Sequence, residues 1–183
     1  MKITVIDFET ANYHRASACA IGIVQLENGA VVAQAESLIR PPPGYRRFIP
    51  QFIDIHGIYP TDVQDAPDFD EVFEEYRHFF TEDTVLAAHN APFDMSVLGA
   101  LMTHYRIPYT CDGFCTMRLA RNCWPHIGSF GLANVARHLG VALQHHQAAS
   151  DANAAAAIVV ASGLTDREKL RPYMRRYNWQ PPC

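Results

Sequence analysis

The chain has 183 residues, of which 49% are hydrophobic and 19% charged, and its net charge is −4. This length fits one domain that buries a proper core, and the composition is that of an ordinary soluble globular protein. No stretch approaches bilayer-spanning length, and the N-terminus runs straight into a strand without a signal peptide, so we expect a cytoplasmic protein with no membrane partner.

The first third of the sequence predicts a three-stranded meander. Strands are expected over residues 2–6, 18–26 and 30–39 because these runs are apolar and rich in β-branched residues. Asn28-Gly29 lies between the second and third runs and is a strong hairpin signal. Prolines at 41–43 then break the sheet, and a short helix is expected within 46–57.

The rest of the sequence alternates helices and strands. Helices are predicted over 68–80, 92–105, 115–122, 130–139, 151–162 (capped by Ser150) and 166–172, with strands over 84–88 and 108–111. This order predicts an α/β fold with a central mixed five-stranded sheet flanked by helices on both faces. We expect a single domain over 1–172 and an extended C-terminal tail over 173–183.

Two acids end the first strand. Asp7 and Glu9 are two residues apart, so both point to one face of the sheet while Phe8 points to the core on the other face. Two carboxylates on a rigid strand end can hold one cation and reach a second. An isolated Asp-x-Glu would equally mark a strand terminus and a solvated turn.

Two further acids begin helices. Asp94 lies in the first turn of the helix over 92–105, and Asp151 begins the last long helix. Either acid alone could serve only to complement the helix dipole or cap the helix. Asn90 is placed to cap the helix that carries Asp94.

A histidine precedes the last acid by five residues. His146 lies in a polar loop, from which it could take a proton from an activated water, and its ordinary pKa near 6.5 suits that task. His145 is expected to face solvent instead. Four acids gathered in one folded core repel each other unless cations lie between them, so the set predicts bound metal.

These segments resemble the DEDDh family of 3′→5′ exonucleases, the group of the DNA polymerase III epsilon subunit, RNase T and oligoribonuclease. The matching motifs are Asp7-x-Glu9, His89-Asn90-x-x-Phe93-Asp94 and His146-x-Ala148-x-x-Asp151, with support from Ile55-His56-Gly57-Ile58 and Phe130-Gly131-Leu132. The resemblance covers residues 2–162.

The resemblance implies a ribonuclease-H-like fold and two divalent cations, Mg²⁺ or Mn²⁺. Asp7, Glu9, Asp94 and Asp151 would be the metal ligands, and His146 the general base. The implied activity is two-metal hydrolysis of phosphodiesters at the free 3′ end of single-stranded DNA or RNA, which releases 5′-mononucleotides.

Candidate substrate contacts lie beside these motifs. The first motif continues Thr10-Ala11-Asn12, where many relatives carry a glycine-containing turn, so we expect this loop to lie by the terminal nucleotide. The candidate residues are Thr10, Tyr13, His14, Asn90 and Phe93. Phe93 has a competing assignment to the hydrophobic core, and Asn90 a competing role as the helix cap.

Several alternatives stay open. A catalytically silent nucleic-acid-binding module on the same fold would have the same pattern, and a phosphatase with a nucleophilic strand-end Asp is disfavoured by Glu9 and the histidine motif. A zinc site at Cys111 and Cys115 lacks the usual paired spacing. The arginine-rich run over 167–176 is more typical of a solvated helix face than of a binding patch. The choice between DNA and RNA is not readable, and a homodimer is left open.

Overall fold

A computed structural model of the protein describes residues 1–180 and places a six-stranded mixed sheet at its centre. The strands are β1 (Lys2–Thr10), β2 (Ala18–Glu27), β3 (Ala30–Leu38), β4 (Thr84–Ala88), β5 (Tyr109–Cys115) and β6 (Arg175–Trp179), in the spatial order β3-β2-β1-β4-β5-β6. Because β1 is antiparallel to β2 and parallel to β4, the predicted mixed sheet is confirmed. The predicted strand count of five is wrong by one.

The additional strand is β6, which lies in the segment assigned to a C-terminal tail. It pairs antiparallel with β5, and its Tyr177 and Trp179 pack against the core, with the indole stacked on Tyr109 at a centroid separation of 6.1 Å. The tail prediction is therefore wrong for residues 175–179. Residues 181–183 of the predicted tail lie outside the described residues.

Seven helices of the described chain cover the two faces of the sheet. They are α1 (Pro50–His56), α2 (Phe69–Glu75), α3 (Pro92–His104), α4 (Thr116–Cys123), α5 (Leu132–Leu139), α6 (Ala148–Ser162) and α7 (Arg167–Leu170). One core cluster packs α2 and α3 on one face, and a second packs α4, α5 and α6 on the other. Helices on both faces are thus confirmed.

The last long helix begins earlier than the sequence indicates. The first residue of α6 is Ala148, and its N-cap is Gln147. Ser150 does not cap the helix, because its Oγ lies inside the first turn and accepts a hydrogen bond of 2.8 Å from the Gln144 amide. Asp151 is therefore not, as predicted, the first residue of this fifteen-residue helix but lies inside its first turn.

Strand lengths determine where the sheet leaves room for a site. The parallel pairing of β1 with β4 ends at Val5 and Ala87, whereas β1 continues to Thr10 along β2. Residues 6–10 therefore extend beyond the end of β4 and leave a recess at the carboxyl edge of the parallel strands. Loops and helix N-termini gather at such edges.

Other expectations concern the surface and the thiols. At the opposite side of the sheet β3 is an edge strand on which Val31 and Val32 are about half exposed, and the homodimer stays a prediction.

Cys19, Cys111, Cys115 and Cys123 are free thiols, as expected, and Cys183 lies outside the described residues. Across residues 1–180, no helix combines the length and the apolar character that crossing a membrane requires.

Candidate active site

The acids of the first motif lie where β1 passes the end of β4. Asp7 pairs with Gly22 and Glu9 with Ala20 in the antiparallel register with β2, so both side chains point to the face that α6 covers. The register shifts between Glu9 and Thr10, which ends the regular strand directly after the second acid. The strand thus fixes both carboxylates at one edge and one face.

A close approach of α6 to β2 brings the fourth acid to this pair. Gly22 lies so near the first turn of α6 that a β-carbon there would be 2.1 Å from the carbonyl oxygen of Ala148. Asp151 follows Ala148 by three residues in the same turn, and only 4% of its surface is exposed. The missing side chain at Gly22 therefore lets Asp151 reach Asp7 and Glu9.

Asp94 reaches the site from the opposite helix layer. It lies in the first turn of α3, is 2% exposed, and its Oδ1 accepts a 3.0 Å hydrogen bond from the Phe8 amide. This bond ties α3 to β1 between the two acids of the strand. Asn90 does not cap α3, because the N-cap is Ala91 and Asn90 lies before it with a φ of 66°.

Burial and the neighbouring carboxylates perturb three of the acids. Burial, and then repulsion from Asp94, Glu9 and Asp151, raises the pKa of Asp7 well above its ordinary value. Burial is also the largest cause that raises the pKa of Glu9 to about 8 and that of Asp94 to about 8. A site that holds its acids so unfavourably without counter-charge is suited to bind cations.

The oxygen positions fit a metal site. Ligand atoms of Asp7, Glu9 and Asp151 all lie within 4.8 Å of one another. The Asp151 Oδ1 atom is buried and has no hydrogen-bond partner among residues 1–180. Carboxylate oxygens are the ligands of hard cations such as Mg²⁺ and Mn²⁺. Cys111 and Cys115 belong to neither of the groups of possible ligands found in the described chain.

His146 is held in an uncommon backbone conformation beside Asp151. Its φ is 68°, and its amide donates a 3.1 Å hydrogen bond to Asp151 Oδ2. Burial first, and then the neighbouring His145, lowers the pKa of His146 below its ordinary value. The neutral imidazole, which is the form that can accept a proton, is therefore favoured at neutral pH.

His145 is not directed away from the site as expected. Its ring stacks on that of His146 with centroids 3.8 Å apart, and its Nδ1 lies 2.9 Å from Asp151 Oδ2. Its side chain is nevertheless 43% exposed. The ring of His145 and the backbone amide of His146 thus both contact the Asp151 carboxylate. His145 is partly exposed to solvent, as predicted, but it also belongs to the site.

The proposed site residues line one cavity, which has a volume of about 310 Å³. Among the residues that line it are all five proposed metal and base residues: Asp7, Glu9, Asp94, His146 and Asp151. The candidate substrate contacts Thr10 and Phe93 also line it. Tyr13, His14 and Asn90 do not: Tyr13 is 74% exposed and lies edge-on to Phe52, while His14 lies in a neighbouring cavity.

The cavity also contains residues to which the sequence reasoning gave no role at the site, among them Phe52, His56, His89 and Met117. His89 could have been found from its place in the second motif; it bonds to Thr116 Oγ1 at 3.0 Å and to the Phe130 carbonyl at 2.9 Å. His56 lies in the Ile55–Ile58 match. The sequence contains no feature that would have placed Phe52 and Met117 at the site, because they are recognisable only as apolar residues.

Comparison with protein families gives a match over most of the chain. Residues 4–159 match the RNase_T family model, which is described as an exonuclease. Similar curated proteins are PolC-type DNA polymerases III, at 31% identity over 127 residues in Streptococcus pneumoniae and 30% over 170 residues in Clostridium perfringens. These alignments cover 69% and 91% of this chain but only 8% and 11% of the relatives' own length.

Solved structures share the fold. Exonuclease X in complex with 5′ overhanging duplex DNA is 27% identical, with a TM-score of 0.69, and the alignment covers 87% of this chain and 90% of that one. The nuclease domain of 3′hExo, a DEDDh family member bound to rAMP, is 17% identical with a TM-score of 0.74 and the same two coverages. The fold is therefore that of ribonuclease-H-like exonucleases.

Proposed function

Because this chain belongs to the RNase_T exonuclease family, of the DEDDh 3′→5′ type, we propose that it removes nucleotides from the free 3′ end of single-stranded DNA or RNA as 5′-mononucleotides. The observation that carries this proposal is the convergence of four carboxylates and one histidine in a single cavity. Two of the similar structures, those of exonuclease X and of E. coli ExoI, are complexes with DNA, which further supports a nucleic-acid substrate.

The four acids would hold two divalent cations, Mg²⁺ or Mn²⁺. Asp7, Glu9 and Asp151 offer oxygens close enough to share one ion, and Asp94 approaches from the other helix layer toward a second. When bound, such ions lower the pKa of water and stabilise the entering and leaving oxygens of an in-line displacement. Their charge would also offset the burial of the ionised acids and their mutual repulsion, which together raise the pKa of Asp7, Glu9 and Asp94.

His146 would be the general base. Its neutral imidazole takes a proton from the attacking water while the water oxygen forms a bond to the terminal phosphorus. The bond between phosphorus and the 3′ oxygen of the preceding nucleotide then breaks, and that oxygen takes up a proton. The products are a 5′-mononucleotide and a strand that is one nucleotide shorter with a 3′ hydroxyl.

Phe93 and Thr10 would position the terminal nucleotide. Phe93 lines the cavity with a ring on which a base can stack, and the Arg15 guanidinium lies 4.5 Å from the centre of that ring. Thr10 follows the second acid of the first motif and offers a hydroxyl beside the metal ligands.

The experiment that tests the proposal uses 5′-labelled single-stranded DNA and RNA of identical sequence, each with Mg²⁺, with Mn²⁺ or with EDTA. We expect a metal-dependent ladder that shortens from the 3′ end and that is absent with Asp7→Asn protein. The faster substrate identifies the preferred sugar. Absence of cleavage of both strands in both metals would refute the proposed activity and leave a binding module as the better description.

A further inference from the structure

A second cavity lies beside the active-site cavity, between the loop that follows β1, the Pro-Gly segment before α1, and the outer face of α3. Its volume is about 570 Å³. We call it the Tyr45 groove, after the residue between its two histidines. Among its lining residues are His14, Arg15, Tyr45, Ser96, His104 and Trp179.

The groove begins where the active-site cavity ends. The guanidinium of Arg15, which lines the groove, lies 4.5 Å from the centre of the Phe93 ring, which lines the active-site cavity. Ser96, one turn further along α3, lines the groove and bonds to the Phe93 carbonyl at 2.6 Å. A chain that leaves the active site past Phe93 therefore enters the groove directly.

The lining combines aromatic rings with a cation. Tyr45 lies between two histidines, with ring centroids 5.5 Å from His14 and 6.0 Å from His104, and Trp179 lines the same cavity. Arg15 supplies a permanent positive charge. Proteins that bind a single nucleic-acid strand without sequence preference usually combine aromatic rings, on which bases stack, with positively charged side chains.

The groove is also free of opposing charge. The protein has 19 acidic and 15 basic residues, yet no carboxylate lines this cavity. The arginine-rich cavity near the C-terminus differs, because Asp112 lies in it and already pairs with Arg167 and Arg176. Arg15, in contrast, shares its cavity with no carboxylate, and its charge also acts on Asp94 in the adjoining active site.

The length of the groove suits a few nucleotides. It follows α3 from Ser96 to His104, which at a rise of about 1.5 Å per residue is about 12 Å. Stacked bases of one strand rise by about 3.4 Å each, so about three bases fit along it. A nuclease that cuts only the last phosphodiester must place all upstream nucleotides outside its active-site cavity, and the Tyr45 groove adjoins that cavity at Phe93.

We infer that the Tyr45 groove binds the nucleotides upstream of the scissile bond, with bases stacked on Tyr45 and a phosphate on Arg15. This inference rests on the proposed function and deepens it, since it makes a single strand of at least about four nucleotides the preferred substrate. His14, which we expected beside the terminal nucleotide, would then contact the upstream nucleotides instead.

The test compares a long substrate with one that cannot reach the groove. The substrates are oligothymidylate of eight nucleotides and the p-nitrophenyl ester of thymidine 5′-monophosphate, assayed with Tyr45→Ala, His104→Ala and wild-type protein. We expect each variant to lower kcat/KM for the octamer relative to the ester, by about tenfold for Tyr45→Ala, the loss typical of one stacked base. Fluorescence anisotropy with labelled octamer, in EDTA, should show a matching rise in Kd.

Tyr45→Ala leaves the local backbone bonds in place, because Asn12 bonds to the Tyr45 carbonyl and not to its side chain. His78→Ala is the matched control: this exposed histidine also packs on an aromatic ring, Phe79, but it lies in the 3-10 helix Arg77–Phe79, near the amino ends of the parallel strands. This substitution should change kcat/KM for neither the octamer nor the ester. An unchanged octamer-to-ester ratio and an unchanged Kd in both groove variants would overturn the inference.

The two proposals fail in different ways. If wild-type protein hydrolyses neither substrate, the proposed function is wrong, and the anisotropy measurement still decides whether the groove binds a strand. If wild-type protein hydrolyses the octamer and the groove variants hydrolyse it equally well, the exonuclease proposal stands and the groove assignment is wrong.

Discussion

Gly22 and Ala148 are in a contact that no side chain would permit. A β-carbon on Gly22 would lie 2.1 Å from the Ala148 carbonyl oxygen and 2.5 Å from the Ala149 nitrogen. Gly22 is also the sheet partner of Asp7, and Ala148 begins the helix that carries Asp151. This one contact therefore sets the separation between a carboxylate of the strand and a carboxylate of the helix.

Substitution of Gly22 by alanine should move the helix and impair the site. The clash is with backbone atoms, so the first turn of α6 must shift, and such overpacking costs about 1–3 kcal/mol. We expect Gly22→Ala to lower the free energy of unfolding by about that amount and nuclease activity by more than tenfold. Gly131→Ala is the control for stability, since the added methyl group there has nothing within 4 Å. Equal stability of the two variants would contradict the argument.

Two substitutions of Asp94 should separate its charge from its hydrogen bond. Asp94→Asn keeps an oxygen for the Phe8 amide and removes a repelling charge, so the metal-free protein should be at least as stable as wild type while activity falls more than a hundredfold. Asp94→Ala also leaves that buried amide without a partner, which costs about 1–3 kcal/mol. Chemical denaturation and nuclease assays measure both. The alanine variant being as stable as the asparagine variant would show that the bond to Phe8 contributes nothing.

Removal of the His146 imidazole should affect turnover and not metal binding. The amide of His146, and not its ring, bonds to Asp151, so His146→Ala preserves that contact. We expect a loss of most of kcat, by a factor of about 10²–10⁴ as for a general base, with little change in Mn²⁺ affinity by calorimetry. Loss of Mn²⁺ binding in this variant would mean that the imidazole is a metal ligand and not a base.

The stability of the metal-free protein should fall as the pH rises. The pKa of Glu9 and that of Asp94 are raised to about 8 from ordinary values of 4.5 and 3.8, chiefly by burial. Folding therefore favours the protonated acids, and this contribution is complete below the ordinary values and is lost as the pH rises through about 8.

Thermal melts in EDTA between pH 5 and pH 8.5 measure this dependence. We expect Tm to fall across the range, and saturating Mn²⁺ to reduce the fall because it stabilises the ionised acids. Asp94→Asn, with one acid fewer, should show a weaker dependence. A Tm in EDTA that stays constant or rises toward pH 8.5 would show that burial and mutual repulsion do not raise the pKa of Glu9 and Asp94 as described.

The prediction of the elements was most accurate where the sequence pattern is continuous and apolar, even in the five-residue strand β4. The apolar runs of β1, β2 and β4 and the helix from Pro92 were placed within a few residues of their bounds. The strand β6 was missed because only Tyr177 and Trp179 alternate between its polar residues, and two aromatic residues are too few to define a period. Its exposed residues become a strand through pairing with β5, and that pairing is a tertiary interaction.

The sequence by itself determined the chemistry: Asp7 and Glu9 on one face of a strand end, acids in two first turns, and a histidine five residues before the last acid. Only the tertiary structure decided their distances, because those depend on contacts between segments far apart in the chain, such as Gly22 with Ala148 and Phe8 with Asp94. The same holds for His145 beside Asp151 and for His14 beside Tyr45. Side-chain surroundings follow from packing across the sheet, and local sequence does not encode that packing.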